Sequence, residues 1–133
     1  MNMRKFDAFY EVYENGEVFS LDRISNGRRY QAKRIKPRDI ERGSQVHLHL
    51  SDGSDRFIAV AKLVYIAFTV DKNREKDILK LYDSMDNYVV VHKDGDIFNN
   101  SFDNLELEQK GVILNTAIAN KKSKQAKHIL DTK

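Results

Sequence analysis

Asn15-Gly16 stands between two short runs of aromatic and β-branched residues, and this pattern constrains the fold more than any other feature of the chain. Residues 8–21 consist of these two runs and the dipeptide between them. Asn-Gly readily adopts the left-handed backbone conformation of a tight turn, so the segment predicts a β-hairpin. The N-terminal part of the chain is therefore expected to form an antiparallel sheet.

Further strands are predicted downstream of this hairpin. Residues 22–29 contain a second Asn-Gly pair and two arginines, which indicates a basic turn leading into a strand near residues 30–36. Pro37 is expected to end that strand because it cannot donate a ladder hydrogen bond.

An alternating pattern follows. Residues 46–50 alternate between apolar and polar with a period of two, residues 51–53 carry a turn signal, and residues 56–60 have the pattern of a returning strand. The sequence thus predicts one antiparallel sheet of four or five strands.

Apolar residues then recur at helical spacing and predict a short buried helix over residues 60–69: Val60, Leu63, Val64, Ala67 and Phe68. Residues 73–83 indicate a second helix or a connector. Residues 88–91 predict a buried strand, and residues 112–130 have helical composition. The expected fold class is α+β.

Composition excludes several classes of protein. The chain has 133 residues, 41% of them hydrophobic and 32% charged, as in a soluble folded protein. It has no cysteine, which excludes disulfides, thiolate zinc sites and a cysteine nucleophile and fits a reducing cytoplasm. Since no apolar run approaches the roughly 20 residues of a membrane span, and the start lacks a secretion signal, we expect a cytoplasmic protein without membrane association.

Charge is segregated along the chain into three zones. Residues 23–42 carry eight basic residues against two acidic ones, a net charge of +6, and residues 110–133 carry a net +5. Residues 71–108 between them carry a net −5. Two basic zones around an acidic centre fit two contacts with a polyanion, although ordinary solvated surface has the same composition.

A cluster of motifs lies between the predicted strand and the C-terminal helix: His92-x-Asp94-Gly95, Asn99-Asn100 and Asn104-Leu105-Glu106. Together with the preceding sheet and helix, this order resembles the phage-type HNH homing endonucleases over most of the chain. Residues 10–69 resemble the modular DNA-binding motif that precedes such nucleases, and residues 89–107 resemble their nuclease hairpin.

The resemblance implies an architecture and a chemistry. The N-terminal sheet module would occupy residues 1–70, and a ββα-metal hairpin-plus-helix module would occupy residues 71–133. In the family, the hairpin and helix hold one divalent ion, Mg²⁺, against the scissile phosphate while a histidine activates water. His92 matches that base, and Asn104 matches the asparagine that orients the imidazole.

Two departures from the family pattern affect the metal. The family places Asp or Asn immediately before the histidine, where this chain has Val91. The second ligand comes from the following helix, at the position of Ile113, and a further histidine is common at the position of Thr116. Asn115 lies about 200° around the helix axis from Ile113 and would rescue the site only if the helix shifted in register. The resemblance therefore implies a degenerate metal site, with no cofactor expected unless the chain is an active Mg²⁺ enzyme.

His47 and His49 would lie on one face of a strand, where they could bind a metal or face solvent or DNA. Since the sequence indicates no third ligand, no metal site is predicted there.

The predicted contacts with double-stranded DNA are the basic residues of both zones: Arg23, Arg28, Arg29, Lys33, Arg34, Lys36, Arg38, Lys121, Lys122 and Lys124. Three functions remain open: a DNA-binding HNH-like protein with weak or lost cleavage, an active Mg²⁺-dependent nicking or homing endonuclease, and a scaffold that binds a host protein. A homodimer is also compatible with the short chain.

Overall fold

The structure is a computed structural model that describes residues 2–109. The predicted C-terminal helix and Lys121, Lys122 and Lys124 lie outside the described residues. Within them the chain is α+β, as predicted, with eleven strands and two α-helices. The strands are β1 (Met3–Phe6), β2 (Tyr10–Tyr13), β3 (Val18–Ser20), β4 (Arg23–Ser25), β5 (Arg28–Tyr30), β6 (Lys33–Arg34), β7 (Arg38–Ile40), β8 (Gly43–His49), β9 (Asp55–Ala59), β10 (Tyr88–His92) and β11 (Leu105–Gln109), and the helices are α1 (Val60–Thr69) and α2 (Ile78–Ser84).

The strands before α1 form three antiparallel sheets, so the prediction of one four- or five-stranded sheet was wrong. The first sheet has the order β1-β2-β3-β6, the second is the β4–β5 hairpin, and the third has the order β7-β8-β9. Two features of the backbone separate them. Asn26 and Gly27 adopt φ values of 54° and 76°, which turn the chain back on itself within the basic segment. Pro37 stands between β6 and β7, where a continuous ladder would lack one donor.

Several predicted elements are confirmed. The hairpin around Asn15-Gly16 is β2–β3, in which Val12 pairs with Val18. The alternating segment forms β8 and β9, whose register places His47 opposite Phe57 and His49 opposite Asp55. The helix over residues 60–69 is present with those bounds. The strand predicted near 30–36 is reduced to the two residues of β6.

Helix α1 lies at the centre of the core. Six of its ten residues are buried: Val60, Leu63, Val64, Tyr65, Ile66 and Ala67. It contacts β2, β8 and β9, which precede it in the chain, and α2, β10 and β11, which follow it. Because each fully buried aliphatic side chain contributes about 1.5–3 kcal/mol of transfer free energy, this helix stabilises both halves of the structure.

The segment after α1 adds smaller elements. A 3₁₀ helix over Lys72–Asp77 leads into α2. Arg56 of β9 donates two hydrogen bonds to the Asp83 carboxylate, at 3.2 and 2.6 Å, which fastens α2 to the third sheet. Neither α1 nor α2, the two described α-helices, has the length and apolar character that crossing a bilayer requires.

The turn of the β2–β3 hairpin rests on the loop between β10 and β11. The Phe102 N–H donates to the Glu14 carbonyl at 2.8 Å, and Asn100 is buried beneath Gly16. Gly16 has a φ of +95°, and a Cβ added there would lie 3.0 Å from the Asn100 Cβ. Gly16 is thus required both by its backbone conformation and by the close approach of the loop.

We predict that Gly16→Ala destabilises the protein for two reasons. The strained backbone conformation alone costs about 1–3 kcal/mol, and the close approach of Asn100 adds to that cost. Gly53→Ala is the matched control, because Gly53 also has a positive φ, +88°, but has no atom within 4 Å of the added Cβ. Urea denaturation of both variants measures the difference. Equal losses would show that the contact between Gly16 and Asn100 contributes nothing.

Candidate functional site

Basic side chains gather around an open cleft of about 840 Å³ between the first sheet, the β4–β5 hairpin and β8. Six of the seven residues predicted from the N-terminal basic zone line it: Arg23, Arg28, Arg29, Lys33, Arg34 and Lys36. His47 and His49 form part of the same wall. The structure therefore brings most of these residues together, whereas Arg38 lies outside the lining and packs over the Phe57 ring at 5.8 Å.

An aromatic residue lies among the arginines of the β4–β5 hairpin. Tyr30 is exposed, and the guanidinium carbons of Arg23 and Arg28 lie 5.1 and 5.5 Å from its ring centre. Arg23 also packs 4.2 Å from the centre of Phe9. Cation–π contacts of this kind hold the charged groups in place on an exposed hairpin without neutralising them.

Two carboxylates partly balance the cleft. Glu17 pairs with Arg34 at 3.2 Å and Asp22 pairs with Arg29 at 3.7 Å, and all four side chains are well exposed. Pairs of this kind contribute little to stability in water. A phosphate can therefore compete for either arginine at small cost to the fold.

His92 ends β10 and stands opposite Leu105 of β11. Its imidazole is half-buried, and Nε2 lies 2.9 Å from the Asn100 Oδ1. With this oxygen as acceptor, Nε2 is the donor of the hydrogen bond. Asn100 is itself one of the few buried polar residues, so its contact fixes the orientation of the imidazole.

Asn104 has a different partner from the one that the sequence predicts. Its Nδ2 donates to Asp94 Oδ1 at 3.0 Å and to the Asn99 carbonyl at 2.9 Å, and its Oδ1 accepts from the Asp94 N–H at 3.1 Å. Asn104 therefore organises the loop after His92, while Asn100 contacts the imidazole. The tandem Asn99-Asn100 was the sequence signal for this role, but spacing could not show which asparagine faces the ring.

Asp94 is the acceptor at the centre of this loop. Its carboxylate accepts from the Asn99 side chain at 2.8 Å, from the Asp96 N–H at 2.8 Å and from Asn104. These hydrogen bonds, with that from Asn99 the largest contribution, hold the pKa of Asp94 below its usual value. Both oxygens are thus satisfied by donors within the loop.

Comparison with known proteins gives one informative match. No protein-family model and no curated protein matches the chain. A solved structure of the HNH homing endonuclease I-HmuI, which concerns DNA binding and cleavage by that protein, is similar at 23% sequence identity with a TM-score of 0.59. The chain has an HNH-like fold. The match covers 97% of this chain and 66% of the I-HmuI chain, so the chain spans less than two thirds of that structure.

Two side chains next to His92 bear on whether a divalent metal ion could bind there. Val91 precedes the histidine and has no donor atom, and the Asp94 carboxylate is occupied within its own loop. Within residues 2–109, the cluster of three metal-ligating side chains that the fold assembles lies on β8 and β9 instead. Ile113, the second predicted departure, lies outside the described residues.

We predict that Asn104→Ala raises the pKa of Asp94 towards the ordinary value of about 3.9, because the carboxylate loses one donor. The lowered pKa in the folded state means that the loop gains stability above the unfolded pKa and loses it as the pH falls through the folded pKa. The variant should lose loop order at a higher pH than the wild type. An NMR titration of the Asp94 carboxyl carbon measures both effects. The control is Asn73→Ala, at an exposed residue far from the loop in sequence; an unchanged Asp94 pKa in Asn104→Ala would contradict the network.

Proposed function

We propose that the chain is an HNH-endonuclease-like protein of phage or mobile-element type that binds double-stranded DNA and has weak or lost cleavage activity. The observation that carries the proposal is the convergence of six basic side chains on one cleft of an HNH-like fold. In this proposal residues 1–70 supply the sheet module that contacts DNA. Residues 71–133 keep the nuclease-like hairpin as a scaffold.

The chemistry of the cleft supports contact with a phosphate backbone. Arg28 and Arg29 of β5 are exposed at the hairpin, and Lys33 and Arg34 follow on β6. Strands of this kind can enter a DNA groove and place guanidinium groups against phosphates. The cation–π contacts with Tyr30 already restrict the Arg23 and Arg28 side chains, so these side chains lose less conformational entropy when they bind DNA.

The hairpin supports the second part of the proposal. His92 keeps the geometry of an oriented base through Asn100, but Val91 offers no ligand beside it. A base without a metal lacks the positive charge that stabilises the attacked phosphate and the leaving oxygen in the transition state. Cleavage is therefore expected to be weak even where DNA binding is retained.

Replacing Arg28, Arg29 and Arg34 together by alanine should weaken DNA binding without unfolding the protein, since all three side chains are exposed. A plot of log affinity against log salt concentration should also have a slope smaller in magnitude by about three, because about three phosphate contacts are lost. Fluorescence anisotropy with a labelled duplex at several salt concentrations measures both quantities.

The matched control is the triple variant of Lys72, Lys76 and Lys80, which removes the same charge from exposed positions outside the cleft. It should bind DNA almost as the wild type does. An equal effect of the two triple variants would indicate non-specific attraction. If the wild type does not bind the duplex even at low salt, a host protein becomes the favoured partner.

The wild type should leave supercoiled plasmid intact in Mg²⁺ or Mn²⁺, whereas Val91→Asp combined with Ile113→Asn should gain metal binding and nicking. His92→Ala in the double variant should abolish the gained nicking while DNA affinity changes little. Agarose gels and calorimetric titration with Mg²⁺ are the measurements. Nicking by the wild type that His92→Ala removes would replace this proposal by an active Mg²⁺-dependent endonuclease, whose oriented imidazole is already present.

A further inference from the structure

The exposed face of the β8–β9 hairpin carries an imidazole pair and a carboxylate. Val46 and Leu48 of β8 are buried, so the alternation of the strand places His47 and His49 on the solvent side. The register puts Asp55 of β9 directly opposite His49. One ligand atom from each of His47, His49 and Asp55 lies within 4.8 Å of the other two.

The backbone holds this face in place. The hydroxyl of buried Tyr10 donates to the His49 carbonyl and accepts from the His49 N–H, each at 2.9 Å. The backbone groups of His49 therefore point away from β9, which makes His49 and Asp55 a non-hydrogen-bonded pair whose side chains stand close together. Consistently, His49 Nδ1 contacts Asp55 Oδ1, and the His47 ring stacks on Phe57 with centres 4.7 Å apart.

We propose that His47, His49 and Asp55 form a binding site for a borderline divalent transition metal ion of the Zn²⁺ class. Bonds of about 2.0–2.2 Å to zinc place tetrahedral ligand atoms about 3.5 Å apart. Exposed side chains reach that spacing from 4.8 Å by movements of about 1 Å. Three protein ligands leave one coordination position for water or a phosphate oxygen.

The ligand types select the metal. Two imidazoles and one carboxylate suit Zn²⁺, Ni²⁺, Cu²⁺ or Fe²⁺, whereas Mg²⁺ and Ca²⁺ require mainly oxygen ligands. This site is therefore distinct in position and in chemistry from the Mg²⁺ site that an HNH-like fold implies beside His92. The sequence showed only the two histidines. Asp55 lies six residues beyond His49 and becomes a ligand only through the register of the hairpin.

The experiment is a calorimetric titration of the untagged full chain with Zn²⁺, followed by Co²⁺ absorption spectroscopy to report the coordination geometry. We expect one Zn²⁺ per chain and no heat from Mg²⁺ at this site. Each of three single variants should weaken Zn²⁺ binding: His47→Ala, His49→Ala and Asp55→Asn. Loss of a residue that only supports a ligand lowers metal affinity about 10–100-fold, so loss of a ligand itself should lower it by at least that much. The tetrahedral Co²⁺ absorption should be lost with them.

Controls separate this site from the other histidines. His92→Ala and His128→Ala should bind Zn²⁺ as the wild type does, and circular dichroism checks that the three site variants remain folded. Absence of Zn²⁺ binding by the wild type would overturn the proposal. So would equal affinities of the wild type and the three site variants, since the metal would then be bound elsewhere. The DNA-binding proposal is unaffected by either result, because its arginine variants are tested without added metal.

Discussion

Burial of α1 is the constraint on which the rest of the structure depends. The helix has ten residues, six of them buried, and it contacts both the sheets that precede it and α2 with the β10–β11 hairpin. Such a helix cannot be exposed on either side without returning several aliphatic groups to water, each at about 1.5–3 kcal/mol. The basic cleft and the His92 hairpin are therefore positioned through one shared core. The hydrogen bond from the Phe102 N–H to the Glu14 carbonyl adds a second, polar connection between the same two parts.

The elements that could be predicted from the sequence are those in which the spacing of apolar residues matches the positions that are buried. The buried residues of α1 recur at helical spacing and those of β8 alternate, so the helix was predicted with its bounds and the β8–β9 hairpin to within a few residues. Strand β1 was missed because only Phe6 of its four residues is buried. The β4–β5 hairpin was read as a turn because β5 is exposed throughout and leaves no apolar pattern. Asn100 and Asp55 were missed since their roles arise from register and loop packing, which local sequence does not encode.

Charge links the two proposed sites. His47 and His49 line the cleft together with the arginines, and Arg38 lies over the ring on which His47 stacks. A divalent ion beside these cations is disfavoured in free protein, because like charges repel. Phosphates in the cleft would neutralise the arginines and remove that repulsion. Since coupling between two sites is reciprocal, DNA would then strengthen metal binding and the metal would strengthen DNA binding by the same factor.

The loop after His92 is held in place by hydrogen bonds from neutral donors. In this chain Asp94 receives three N–H donors from its own loop, and the imidazole is held by the amide of Asn100. Neutral donors thus stabilise the charge of the Asp94 carboxylate, with the hydrogen bond from Asn99 the largest contribution, and the lowered pKa of Asp94 is the result. Because these hydrogen bonds from amide groups hold the loop in place, Val91 can occupy the position before His92 without disturbing the hairpin.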